Sequence, residues 1–139
     1  MVKRELVSEK IDRIWFSLNR IKKFQNMCFE EFKNDQDAQD IVIHNLFLII
    51  QNLIDVGNHI IADEGFETPG YYGEIPEILS KEKVISESLA SVFKKMISFR
   101  NIIVHEYSKI DLAKVYDILI KGIDDIKKIL GEIINYAKL

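Results

Sequence analysis

The segment from Ile41 to Ile54 constrains this chain more than any other. Ile41, Val42, Ile43, Leu46, Phe47, Leu48, Ile49, Ile50, Leu53 and Ile54 make a helix apolar around much of its girth. Such a helix is stable in water only when it is buried on more than one side, by the rest of the chain and by any second subunit. Asn34, Asp35 and Asp37 supply stop and N-cap chemistry ahead of it, and it is expected to run to about Ala62 and to end before Gly65. Its longest apolar stretch, Ile41 to Ile50, is about half the length a bilayer requires and is broken by His44 and Asn45, so no membrane association is expected.

The flanking segments have the patterns needed to cover it. Val7, Ile11, Ile14, Leu18, Ile21, Gln25, Cys28 and Phe32 alternate steps of four and three, which reads as one long amphipathic helix broken only by Gln25. Residues 65–76, GFETPGYYGEIP, hold both prolines and three of the six glycines and form the one substantial loop. A short helix is expected near Glu77 to Lys81. Ser86 is a good N-cap for a third long helix bearing Leu89, Val92, Phe93, Met96 and Ile97 and ending near Tyr107. Asp111 caps the last, with the stripe Leu112, Val115, Leu119, Ile123, Ile126, Leu130 and Ile133. Four long helices plus a short one, joined by brief turns, predict one all-α domain over residues 1–139, an antiparallel up-and-down bundle. A hydrophobic fraction of 47% with 29% charged residues excludes a disordered chain.

The net charge of −3 demands no polyanionic partner, but it conceals a gradient. Residues 1–33 carry +3, residues 34–82 carry −9 and residues 83–139 carry +3. A lone cysteine, Cys28, cannot form an internal disulfide, and its apolar neighbours predict a buried thiol in a reducing compartment. The N-terminus mixes Lys3, Arg4, Glu5, Glu9 and Lys10 and lacks the apolar core of a signal peptide, so the expected location is the cytoplasm.

Function has to be sought in a local constellation, because helical bundles host enzymes and adaptors alike. Following Leu89, Phe93 and Met96 forward, the next positions on that face are Arg100, Ile103 and Tyr107. Arg100 therefore stands where an apolar residue is expected, and a guanidinium in that place needs a carboxylate, carbonyls, a phosphate or water. On an ideal helix Tyr107 lies only about 20° from Arg100, and Asn101 and His105 are neighbours on the adjoining face. The negative end of the helix dipole favours imidazolium at His105. Arginine, amide and histidine so arranged make a phosphodiester-cleaving set. The residues alone leave a second reading open, in which Arg100 pairs with an acidic residue of the middle segment and His105 caps carbonyls.

RNIIVHEY, an Arg, polar residue, three-residue spacer, His, one residue, Tyr pattern, resembles the motif of the HEPN ribonucleases, specifically the HepT-like toxins of toxin–antitoxin pairs. The resemblance extends through QNLIDVGNHIIADEG and TPGYYGEIPEIL to VYDIL, roughly residues 40 to 120. It implies a HEPN-like bundle that dimerises, with the motifs facing a cleft at the interface, and a metal-independent ribonuclease in which the ribose 2′-hydroxyl attacks the adjacent phosphate. No cofactor is implied. Carried onto this chain, His105 is the general base or acid, Arg100 holds the phosphate and Asn101 orients one of them. A homodimer supplies two His105 side chains, one for each proton transfer. Tyr107 matches the tyrosine that a partner nucleotidyltransferase, an MntA-like antitoxin, modifies with AMP, blocking the site. The alternative is a catalytically inert helical binding subunit for a nucleotidyltransferase.

Other residues carry weaker signals. Gln51, Asp55 and His59 share a helix face with Asp63 beyond; Asp55 and His59 have metal-ligand spacing but no second pair to complete a site, so no metal is expected. The stripe is read as support for the cleft, with Asp55 the first choice of partner for Arg100. His44 is expected in the core or at an interface. Tyr71 and Tyr72 either stack on bases or close a bundle end. Arg13, Arg20, Lys22, Lys23, Lys94 and Lys95 either flank the cleft or are solvated, and the acidic middle segment is expected to lie away from His105.

Overall fold

The computed structural model describes residues 3–139, and among them every regular element is helical. In chain order these are α1 (Arg4–Ile21), α2 (Phe29–Lys33), α3 (Gln36–Glu64), α4 (Glu74–Lys81), α5 (Glu87–His105), α6 (Leu112–Asp117) and α7 (Ile123–Ala137). Short 3₁₀ turns occupy Lys22–Asn26 and Tyr107–Lys109, and a π segment over Ile118–Gly122 makes α6 and α7 one continuous rod.

α3 is the axis around which the others pack. Asp35 caps it by accepting the Ala38 N–H at 3.0 Å. It stops where Gly65 turns left-handed, φ 68°, and the Phe66 N–H closes on the Ile61 carbonyl at 2.9 Å. Val42, Leu46, Ile49, Ile50, Leu53, Ile54, Val56 and Ile60 are fully buried. α3 has the length and hydropathy of a membrane span, but 61% of that apolar window is buried inside the bundle. Its buried amides turn back on the chain: Asn45 donates to the Ile41 carbonyl and Asn52 to that of Leu48, while Gln39 donates to those of Phe32 and Lys33.

Contacts along the helices give the up-and-down order. The Lys3 N–H donates to Asp63 and Lys10 reaches Asp55, so α1 runs antiparallel to α3. The Ser86 N–H donates to Glu132, and Gly122 lies beside Met96, so α5 runs antiparallel to α7. At the far end the Tyr136 hydroxyl donates to Glu64; burial, then that carboxylate, raises the phenol above its ordinary pKa.

Five expectations are corrected. The helix expected over residues 7–32 breaks after Ile21, passes through the 3₁₀ turn and runs extended at Met27 and Cys28. Tertiary contacts hold the break: the Tyr116 hydroxyl donates to the Met27 carbonyl at 2.6 Å, and the Gln25 amide donates to the Leu119 carbonyl at 2.9 Å. Cys28 is consequently exposed at the N-terminus of α2, where its N–H donates to the Glu31 carboxylate and draws that acid's pKa down. Of the two places expected for His44, the core is excluded, because the residue is exposed. α5 ends at His105 because Glu106 leaves the helix at φ −141°, ψ 49°. The short α4 begins three residues early, placing Pro76 in its first turn, where a missing N–H costs no helical bond.

α3 and α4 meet at Gly57, where a Cβ would lie 2.6 Å from Ile75 Cγ2 and 3.3 Å from Leu79 Cδ1. Both neighbours are fully buried, and the β-branched Ile75 has little rotamer freedom. Gly57→Ala is therefore expected to destabilise by about 1–2 kcal/mol in urea unfolding, although alanine is the better helix former by about 1 kcal/mol.

Candidate active site

Ser86 starts α5 by accepting the Leu89 N–H at 3.3 Å, and Leu89, Phe93, Met96, Ile97 and Phe99 hold the helix in the core. One residue later the helix surfaces, leaving Arg100 half-buried. Its Nε–H donates to Gln51 Oε1 at 3.1 Å, and Nη1 donates to Asn101 Oδ1 at 2.9 Å. The guanidinium carbon lies 5.1 Å from the centre of the Tyr72 ring and 5.8 Å from that of Phe47, so two aromatic rings supply a cation–π setting. Among the described residues Arg100 has no carboxylate partner, and its Nη2 group makes no hydrogen bond.

Asp55, the expected partner, stands one step removed. Its Oδ1 accepts from the Gln51 amide at 3.2 Å, and its Oδ2 pairs with Lys10 at 3.3 Å. The direct partner, Gln51, was visible only as a member of the polar stripe. Phe47 gave no signal because it belongs to the apolar girth of α3, and Tyr72 was singled out for stacking on bases, not for packing on Arg100.

Asn101 and His105 are both exposed on α5, with His105 as its last residue. The Asn101 carbonyl oxygen accepts from the Arg100 guanidinium. Tyr107 lies past the helix end in a 3₁₀ turn, so its placement relative to Arg100 is set by that turn and not by helical spacing. It is 57% exposed.

Several of the basic residues that the sequence offered for the cleft are already matched. Arg13 pairs with Glu9, Lys94 with Glu77, and Lys23 lies over the Phe24 ring. The hydrogen bond that the Lys94 ammonium donates to Glu77 holds its pKa above the ordinary lysine range. Of the acidic middle segment, Asp35 caps α3, Asp63 meets the N-terminal backbone, Glu74 accepts from Gly70 and Glu67 pairs with Lys81. Asp55 alone of these reaches toward Arg100, through Gln51.

An all-α bundle that surfaces an arginine, an amide and a histidine at the end of its third long helix defines a HEPN-type domain. The sequence matches the family described as ribonuclease HepT-like over residues 16–133, and the chain belongs to that family. It is 30% identical to an mRNA nuclease HepT of Shewanella oneidensis over 115 residues, 81% of this chain and 86% of that protein. Its fold superposes with a TM-score of 0.86 on a toxin–antitoxin crystal structure with AMP-PNP, at 27% identity, covering 93% of this chain and 97% of that one. A tri-AMPylated Shewanella oneidensis HEPN toxin in complex with an MNT antitoxin gives 0.84 at 28% identity, with 92% and 96% covered.

A half-buried arginine held by amides and rings contributes less to folding than one in a buried ion pair, whose loss costs about 3–5 kcal/mol. Arg100→Ala is expected to cost about 1–2 kcal/mol in urea unfolding and to leave a cooperatively folded protein.

Proposed function

We propose that this protein is the ribonuclease toxin of a toxin–antitoxin pair, working in the cytoplasm as a homodimer and silenced by AMP transfer to Tyr107. The observation that carries this reading is the way Arg100 is held. Neutral amide oxygens take Nε and Nη1 and leave the guanidinium's charge uncompensated and its Nη2 group open, which suits a phosphate rather than a structural ion pair. Membership of the ribonuclease HepT-like family supports the activity, and the names of the relatives support an RNA substrate and an antitoxin partner.

In the reaction Arg100 binds the scissile phosphate and stabilises the charge that grows on its oxygens. One His105 removes the proton of the ribose 2′-hydroxyl as that oxygen attacks phosphorus. The second, from the other subunit, protonates the departing 5′-oxygen. Asn101 keeps the guanidinium oriented through its 2.9 Å bond. A guanidinium does the electrostatic work for which other nucleases use metal ions, so no metal is required.

The exposed Tyr107 is open to a second enzyme. Its hydroxyl oxygen attacks the α-phosphate of ATP on the antitoxin, pyrophosphate leaves, and the attached AMP brings a phosphate and a nucleoside to the end of α5.

His105→Ala is expected to lower RNA cleavage by about 10²–10⁴-fold with an unchanged melting temperature, because the side chain is exposed. Cleavage by the wild type is expected to survive EDTA; loss in chelator, or an active His105→Ala protein, contradicts the mechanism. Co-expression with the antitoxin should add AMP to the wild type and not to Tyr107→Phe, read by intact mass. A protein that binds the antitoxin but never cleaves RNA or slows growth would instead be an inert binding subunit.

A further inference from the structure

We propose that Gln51 is a positioning residue for the reaction, acting as a neutral spacer that orients Arg100 while keeping the carboxylate of Asp55 off its phosphate-binding edge. The proposal rests on the reading of Arg100 as the phosphate-binding group. Four side chains from three helices form one line: Lys10 on α1, Asp55 and Gln51 on α3, Arg100 on α5. Chemistry at the two ends of Gln51 fixes its rotation. Arg100 can only donate, and the Asp55 carboxylate can only accept. The amide therefore has one consistent orientation, with Oε1 toward Arg100 Nε at 3.1 Å and Nε2 toward Asp55 Oδ1 at 3.2 Å. Flipping it would place two donors against each other at one end and two acceptors at the other.

A neutral residue serves better here than an acid would. A carboxylate directly on Arg100 would take up its charge and compete with the phosphate for the same donors. Gln51 uses Nε alone and leaves Nη2 open. Lys10 meanwhile balances Asp55 on its far oxygen, 3.3 Å away, so the line presents no uncompensated negative charge to an RNA backbone. Gln51 and Asp55 sit one helical turn apart on α3, which makes the spacing rigid.

The test measures kcat and KM for RNA cleavage, together with the NMR resonance of the Arg100 Nε–H, in the wild type, Gln51→Leu, Gln51→Glu and Asp55→Asn. Gln51→Leu should lose kcat/KM by roughly 10- to 100-fold, as expected for removing a hydrogen bond to a charged group. Its Nε–H resonance should move toward that of a free arginine. Gln51→Glu should still fold cooperatively, its gained ion pair with Arg100 offset by repulsion from Asp55, yet raise KM by about tenfold or more, because its carboxylate competes with substrate. A purely structural Gln51 predicts the opposite pairing, retained activity wherever stability is retained. Asp55→Asn should lose less than Gln51→Leu, since asparagine tolerates both orientations of the Gln51 amide. If Gln51→Leu does not fold, Gln51→Glu carries the test. Wild-type kcat and KM in both Gln51 variants overturn the proposal. A wild type that cleaves no RNA overturns the ribonuclease reading instead; the Nε–H resonance then decides the positioning role, which falls if neither Gln51 substitution moves it.

Discussion

Burial of α3 is the constraint on which the remaining structure depends. A helix with Val42, Leu46, Ile49, Ile50, Leu53, Ile54, Val56 and Ile60 fully buried has little face left for water, and α1, α4, α5 and the α6–α7 rod all serve to cover it. Between Ile41 and Asp55 its exposed or half-exposed positions are few, and they fall on one edge: Ile41, His44, Phe47, Leu48, Gln51 and Asp55. Arg100 emerges from the core against that edge, touching Phe47 and Gln51. The site therefore occupies the seam at which the most apolar element of the protein comes to the surface. There a polar side chain can be held by packing and still meet solvent.

That seam explains how a positive charge is kept ready without being neutralised. A fully buried guanidinium would require a carboxylate to offset its desolvation, and a fully exposed one would have no fixed geometry. Half-burial between the Tyr72 and Phe47 rings, with amide oxygens on two of its nitrogens, restrains the group while leaving its charge intact. The nearest acid is offset by one amide and is itself balanced by Lys10. The local arrangement, not the slightly acidic total, sets the field at this seam.

Features governed by local chemistry were legible in the sequence. Asp35, Ser86 and Asp111 cap the helices they precede, and Gly65 ends α3, because each acts within a few residues of itself. The break after Ile21 was not legible. It depends on Tyr116 reaching Met27 and on Gln25 reaching Leu119, contacts between segments about 90 positions apart, while the apolar spacing runs on as if the helix continued. Cys28 was misplaced for the same reason. At the site, Arg100 stood out as a charge on an apolar stripe, but matching charge with charge pointed to Asp55 and passed over the amide between them. Tyr107 could be located only to the end of α5, because the turn that follows is set at Glu106 and not by helical spacing.

The π segment at Ile118–Gly122 gives the C-terminal rod a property of its own. A π turn holds one more residue than an α turn, so everything after it is rotated by about 100° relative to an uninterrupted helix. Ile123, Ile126, Ile129, Leu130 and Ile133 are buried beyond the segment, and the Gln25 amide fastens it through the Leu119 carbonyl. Loss of a single residue between Ile118 and Gly122 would let the π turn close to an α turn while α7 keeps its apolar face toward the core, so this stretch can absorb a one-residue change in length that an unbroken α-helix could not.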